Sequence, residues 1–135
     1  MIWSQKQASY GDIIRTKVSF YYHYGIFVNP NRVIQFGLPD DPGRPSGEIK
    51  VLATDVYTFL NGGSIEVGIC EKPEKQKRHS AKQTVEIAES KLGEGGYDIL
   101  HNNCEHFAYL CAFGEAKSSF LQNIRSKLRQ KLQNN

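Results

Sequence analysis

Apolar and polar residues follow a strand period through the first half of the chain and a helix period through much of the second. Gly11-Asp12 introduces Ile13 to Val18, which predicts a strand after an irregular start. Phe20 to Val28 (Phe-Tyr-Tyr-His-Tyr-Gly-Ile-Phe-Val) is dense in aromatic and β-branched residues and predicts a second. Asn29-Pro30-Asn31 signals a turn, and Arg32 to Gly37 returns as a third strand, so the two should pair as an antiparallel hairpin. With its loop centred near Asn29, His23 and Gln35 stand opposite each other on one face. A shift of two residues makes them diagonal neighbours on that same face. Leu38 to Gly47, with Pro39, Pro42 and Pro45, predicts an exposed loop. Glu48 to Ala53 predicts a short strand, Thr54 an N-cap for helical turns through Leu60, and Ser64 to Cys70 a further strand.

Lys72 to Arg78 is polar and basic and predicts a connector. Ser80 and Gln83 form a capping-box pattern, and Ala81, Val85, Ala88 and Leu92 keep helical spacing as far as Gly93. A second helix opens at Asn102-Asn103-Cys104 and stops at Gly114, with Cys104, Phe107, Ala108 and Cys111 on one apolar face. Beyond it, Phe120, Leu121, Ile124, Leu128 and Leu132 mark the stripe of a final amphipathic helix. Strands followed by helices predict an α+β fold, an antiparallel sheet packed against helices. Residues 1–114 form the domain in this reading, and residues 115–135 a basic amphipathic helix or tail.

Composition sharpens this picture in three ways. A chain of 135 residues with 39% hydrophobic and 23% charged residues is expected to build one core without staples. Three cysteines at irregular spacing make no disulfide framework and suit a reducing compartment, so a cytoplasmic protein is expected. No apolar run approaches the ~20 residues of a membrane span, and no secretory apolar run is expected at the start. The net charge of +3 is uneven: Lys117, Arg125, Lys127, Arg129 and Lys131 stand in a tail without acids, leaving residues 1–116 mildly acidic. That tail either packs on the domain or lies on an anionic membrane surface, which would make the protein peripheral at membranes. Nucleic acid is not an expected partner, because only the tail charge would favour it.

Cys104 is the candidate for chemistry. In the first turn of a helix, free N–H groups and the positive dipole end favour a thiolate, although most free cysteines are simply small buried hydrophobes. Its apolar neighbours turn it toward the body of the protein. His106, two positions on, points elsewhere and is a poor base for this thiol, whereas His101 in the approaching loop stays open. A zinc site from His101, Cys104 and His106 lacks a fourth ligand, and no metal or other cofactor is expected. Cys111 stands about 10 Å along the axis from Cys104, too far for a bridge, and reads as core. Tyr21, Tyr22 and Tyr24 read as sheet packing, with hydroxyls available to a bound substrate, so they are the candidate substrate-binding residues.

Two stretches resemble a known family. Tyr22-His23-Tyr24-Gly25-Ile26-Phe27-Val28 resembles the histidine box of the lecithin:retinol acyltransferase-like proteins, and Asn102-Asn103-Cys104-Glu105-His106-Phe107 resembles their asparagine-cysteine-glutamate-histidine-phenylalanine box. Gly11-Asp12-Ile13-Ile14 and the helix from Ser80 to Leu92 also sit where that family places them, so the resemblance covers residues 10–114. It implies a permuted papain-like (NlpC-type) fold in which the base-bearing strand precedes the nucleophile helix. It also implies phospholipase A or acyltransferase chemistry through a thioester, acting on a lipid or other acyl-bearing substrate. By position Cys104 is then the nucleophile and His23 its general base. Where lipid-acting members carry a second histidine on the third strand, this chain has Gln35, whose amide oxygen can accept the Nδ1–H of His23 without adding charge. Neutral amides do this in papain-like enzymes, so an amidase or peptidase stays open as an alternative. So does a non-catalytic relative that binds a partner.

Overall fold

In the computed structural model, which describes residues 1–39, 44–98, 102–115 and 133, six strands form one antiparallel sheet. They are β1 (Ile2–Ser4), β2 (Ile13–Val18), β3 (Tyr21–Asn29), β4 (Arg32–Phe36), β5 (Val51–Thr54) and β6 (Glu66–Ile69), in the spatial order β1-β6-β2-β3-β4-β5. Four helices accompany them among the described residues: α1 (Val56–Leu60), α2 (Lys72–Lys75), α3 (Ala81–Ser90) and α4 (Cys104–Phe113). The α+β architecture expected from the sequence is therefore present.

Strand alternation gives the sheet two apolar faces. Tyr24, Ile26, Ile34, Phe36 and Val51 pack with Val85 and Ala88 of α3 and with Phe107, Ala108 and Cys111 of α4. Ile14, Phe27, Val33 and Val67 form a smaller cluster on the other face around Phe59 of α1. Gly25 belongs to this second face, where a Cβ would lie 2.8 Å from the Phe59 ring and 3.0 Å from Val33, so only glycine lets α1 approach. Arg32 at the start of β4 clamps α3 to the sheet through two bonds to the Glu89 carboxylate, at 2.7 and 2.6 Å.

Several boundaries differ from the sequence reading. The irregular start contains β1, held by pairing with β6 from Ile2↔Ile69 to Ser4↔Val67. The fifth strand begins at Val51, after a 3₁₀ turn at Ser46–Glu48. Asp55 caps α1 by accepting from Thr58 N at 2.8 Å, because Thr54 is drawn into the β4–β5 ladder opposite Val33. The basic connector holds α2, closed by a Glu71/Glu74 capping box. Except for residues 115 and 133, the expected basic helix or tail over residues 115–135 lies outside the described residues, as do His101 and residues 40–43 of the proline loop.

Candidate active site

The two candidate catalytic boxes meet at the start of β3. Main-chain direction decides how. Phe27 N donates to Asp12 O (2.9 Å) and Phe27 O accepts from Gly11 N (2.7 Å), so odd-numbered residues of β3 turn their peptide groups toward β2. Tyr22, Tyr24 and Ile26 therefore turn theirs toward β4. Among the described residues, β3–β4 pairing runs from Asn29↔Arg32 to Ile26↔Ile34 and no further. β2 stays with β3 as far as Val18↔Tyr21, and β5 stays with β4 as far as Phe36↔Val51. Between Tyr22 and Tyr24 the β4-facing edge of β3 is thus open.

Cys104 fills that opening. Asn103 caps α4, its Oδ1 accepting from Glu105 N and His106 N at 3.0 Å each. His106 Nδ1 in turn accepts from Asn103 N at 3.2 Å, so His106 serves as the helix-capping partner. At the far end Gly114 (φ 80°) stops the helix in a left-handed conformation. Cys104 is 7% exposed, and its Sγ lies 4.0 Å from Tyr22 O, the carbonyl that directly precedes His23. Burial pushes the Cys104 thiol up to about 11, and the main-chain N–H groups of Tyr24, Glu105 and Cys104 itself offset this only in part. Helix-start donors are present, as expected, and burial opposes them.

His23 and Gln35, respectively 2% and 0% exposed, approach through His23 Nε2 and Gln35 Oε1 at 2.8 Å. The register extended from Ile26↔Ile34 sets Gln35 beside Gly25, so His23 and Gln35 are diagonal neighbours on one face. That offset brings the outer ring nitrogen to the amide, and the expected Nδ1 contact is replaced by an Nε2 contact. The His23 ring also packs on Phe59, with centroids 5.1 Å apart. Gln35 Nε2 donates to Thr54 Oγ1 (2.7 Å), which donates to Asp55 O (2.9 Å). Across the β2–β3 ladder from His23 stands Thr16, fully buried, whose hydroxyl has no hydrogen-bond partner among the described residues.

The three tyrosines separate. Tyr21 O–H donates to Pro39 O at 2.5 Å and tethers the loop after β4. Tyr22 packs beneath the Arg15 guanidinium (3.9 Å to the ring centroid), whose other side meets Trp3 at 4.1 Å. Tyr24 packs edge-on against Trp3 in the larger core, and burial raises its hydroxyl well above the usual tyrosine range. Arg15, held to Glu66 at 3.1 Å, and Thr54, which the sequence offered only as a helix cap, are two further site neighbours. Neither has a local signal, since each acquires its partners through strand register. Cys111 is fully buried core, as expected, and burial pushes its thiol up to about 12. Among the described residues, no group of three or more His, Cys, Asp or Glu side chains is placed to hold a metal ion.

Comparison with known proteins points one way. The family model described as lecithin retinol acyltransferase matches residues 6–117. The chain is 29% identical to lecithin retinol acyltransferase of Bos taurus over 88% of its own length and 62% of that protein. It is 31% identical to the Homo sapiens protein of the same name over 77% of its length and 54% of that protein. With phospholipase A and acyltransferase 3 of Homo sapiens it shares 24% identity over 84% of its length and 76% of that protein. The chain thus spans 54% to 62% of the lecithin retinol acyltransferases it matches.

Proposed function

Because the chain belongs to the lecithin retinol acyltransferase family, we propose that it is a cysteine-dependent acyl enzyme of the phospholipase A/acyltransferase type. The observation that carries this reading is the placement of the Cys104 thiol in the gap between β3 and β4, against the main chain of the strand that bears His23. A base-bearing strand that precedes a nucleophile helix in the chain supports the permuted papain-like arrangement.

With Nε2 of His23 bonded to Gln35, Nδ1 is the ring nitrogen that would take the thiol's proton. A thiol with its proton held by burial needs that base during attack rather than before it. Cys104 Sγ adds to the ester carbonyl carbon as its proton passes to His23. The carbon–oxygen bond of the leaving group then breaks, and His23 returns the proton to the departing alkoxide, leaving an S-acyl thioester. Water, or an acceptor hydroxyl or amine, gives its proton to His23 and attacks the thioester, which frees the thiol. Main-chain N–H groups of Cys104 and Tyr24 around the sulfur are suited to the developing oxyanion. The acyl donor on this reading is a lipid ester, in keeping with relatives named for lecithin and phospholipids.

The test is intact-mass spectrometry after incubation with phosphatidylcholine vesicles. A mass gain equal to one acyl group, mapped to Cys104 and absent in Cys104→Ser, is expected. An adduct on Cys70 or Cys111, or none with any acyl ester, refutes the assignment and favours a partner-binding role for the same fold.

A further inference from the structure

Gln35 has two ends of nearly equal size, and only one of them serves a base. If its amide oxygen faces His23, the facing ring nitrogen must carry the proton, and Nδ1 keeps its lone pair. If its NH₂ faces His23, Nε2 becomes the acceptor, the proton moves to Nδ1, and no basic nitrogen is left for the thiol. A second histidine would not raise this question in the same form, because either of its nitrogens can change role. The neutral amide needs something to hold it one way round.

We infer that Thr54 is the positioning residue that sets the orientation of Gln35 and thereby the tautomer of His23. The inference rests on the reading of His23 as the base. Thr54 Oγ1 lies 2.7 Å from Gln35 Nε2 and 2.9 Å from Asp55 O. The Asp55 carbonyl can only accept, and it also receives Phe59 N at 3.2 Å in the first turn of α1. The Thr54 hydroxyl has one proton. Given to Asp55 O, it leaves the hydroxyl as acceptor toward Gln35, which must present its NH₂ there and its oxygen to His23. This arrangement satisfies three bonds in series: His23 Nε2–H to Gln35 Oε1, Gln35 Nε2–H to Thr54 Oγ1, and Thr54 O–H to Asp55 O. Reversed, the chain keeps two, since Thr54 then spends its proton on Gln35 and Asp55 O loses its side-chain donor. Gln35 itself is fully buried, whereas the Thr54–Asp55 bond is exposed, so the preference rests on the Thr54 hydroxyl keeping Asp55 O, rather than a water, as its acceptor.

The placement is built by register. Thr54 pairs with Val33 and Leu52 pairs with Gln35, so Thr54 is the diagonal neighbour of Gln35 on the same face of the β4–β5 ladder. Asp55, the next residue, caps α1, whose Phe59 packs on the His23 ring. One short stretch therefore fixes both the amide and the ring it serves.

The experiment reads the tautomer directly. In protein labelled with ¹⁵N-histidine, the resonance pair lost in His23→Ala is assigned to His23, and its shifts are compared above the imidazole titration. Wild type should show Nε2 protonated and Nδ1 bare. Thr54→Val, which keeps the shape and removes the acceptor, should populate the Nδ1–H form and lower kcat/KM on a short-chain p-nitrophenyl ester about tenfold, chiefly through kcat. Thr54→Ser should restore both readouts. A Thr54→Val protein, or Thr54→Ala should that variant not fold, that keeps the wild-type tautomer overturns the inference. The tautomer readout needs no turnover, so it stands or falls apart from the question of whether Cys104 is acylated.

Discussion

The two faces of β3 solve opposite problems at the same few residues. On one, His23 and Gln35 are buried in a chain of hydrogen bonds that ends on a backbone carbonyl. On the other, at the open β4-facing edge between Tyr22 and Tyr24, Cys104 is buried among Tyr24, Phe107 and Ala108, with main-chain N–H groups and no charged partner among the leading influences that favour its ionised form. Burial is nearly complete in both places and has different consequences. An imidazole beside a neutral amide tolerates it, because the facing polar atoms are hydrogen-bonded to one another. A thiolate does not, and burial raises the Cys104 thiol above its ordinary value. On the proposed reading, the base side is organised in advance, whereas Cys104 is held as a thiol whose proton is removed during the reaction.

The widest test of this contrast removes the base. His23→Ala should lower kcat/KM on an ester by roughly a thousandfold or more, while circular dichroism stays that of wild type. A loss below about tenfold would mean that the thiol does not depend on that face of the strand.

The next test addresses the state of the thiol. If Cys104 ionises near 11, its alkylation by iodoacetamide should rise about tenfold per pH unit, roughly a hundredfold between about pH 7.5 and pH 9.5. Stability should move the other way. An unfolded thiol ionises near 9.0, so the contribution from keeping Cys104 neutral is fully present below that pH and is lost as pH rises toward 11. Cys104→Ala should lose less stability over that window than wild type does. A flat alkylation rate beginning near neutrality would show a resting thiolate–imidazolium pair and erase the contrast between the faces.

Gln35→Ala separates orientation from ionisation and should cost about tenfold to a hundredfold in kcat/KM, one hydrogen bond plus the correct tautomer. Gln35→His should stay within about tenfold of wild type. If Gln35→Ala is indistinguishable from wild type, the imidazole is oriented by something else, such as its packing on Phe59.

How much of this was readable beforehand depends on the range of the physics involved. The strands around His23 and Gln35, the Ser80-capped helix and the Cys104 helix announce themselves by periodicity and caps, which are local. Their shared face followed from the strand period of two. Which ring nitrogen meets Gln35 did not, because it turns on a two-residue diagonal set by the bulged turn between Phe27 and Asn29. The opening between β3 and β4 was equally hidden, since it arises where two ladders end at different residues. β1 has three residues and exists through its pairing with β6. α2 has no buried side chain, so no apolar stripe marks it. The depth of Cys104, and hence its thiol state, depends on residues from both halves of the chain.

The mildest prediction concerns Arg15, which lies opposite Tyr24 in the ladder on the Cys104 side of the sheet. Its guanidinium sits between the Trp3 and Tyr22 rings and is bonded to Glu66, with only 16% of the side chain exposed. Each ring contact is worth about 0.5–1 kcal/mol and the ion pair about 0–1 kcal/mol, so Arg15→Lys, which keeps charge but loses the flat stacking group, should destabilise by about 1 kcal/mol. For a domain of this size that is a fall in Tm of a few degrees, by roughly the usual scaling. Tyr22 supplies both one ring of the sandwich and the carbonyl beside Cys104 Sγ, so loosening it should also change alkylation of Cys104, by about twofold at most if Arg15 acts only through packing. The two readouts together decide the role. A lower Tm with kcat/KM nearly unchanged makes Arg15 a brace for the nucleophile face. A loss of kcat/KM on phospholipid larger than that on a short neutral ester, at unchanged Tm, would instead place its cation in contact with the substrate's phosphate, and the nucleophile face would then be more polar in use than it is at rest.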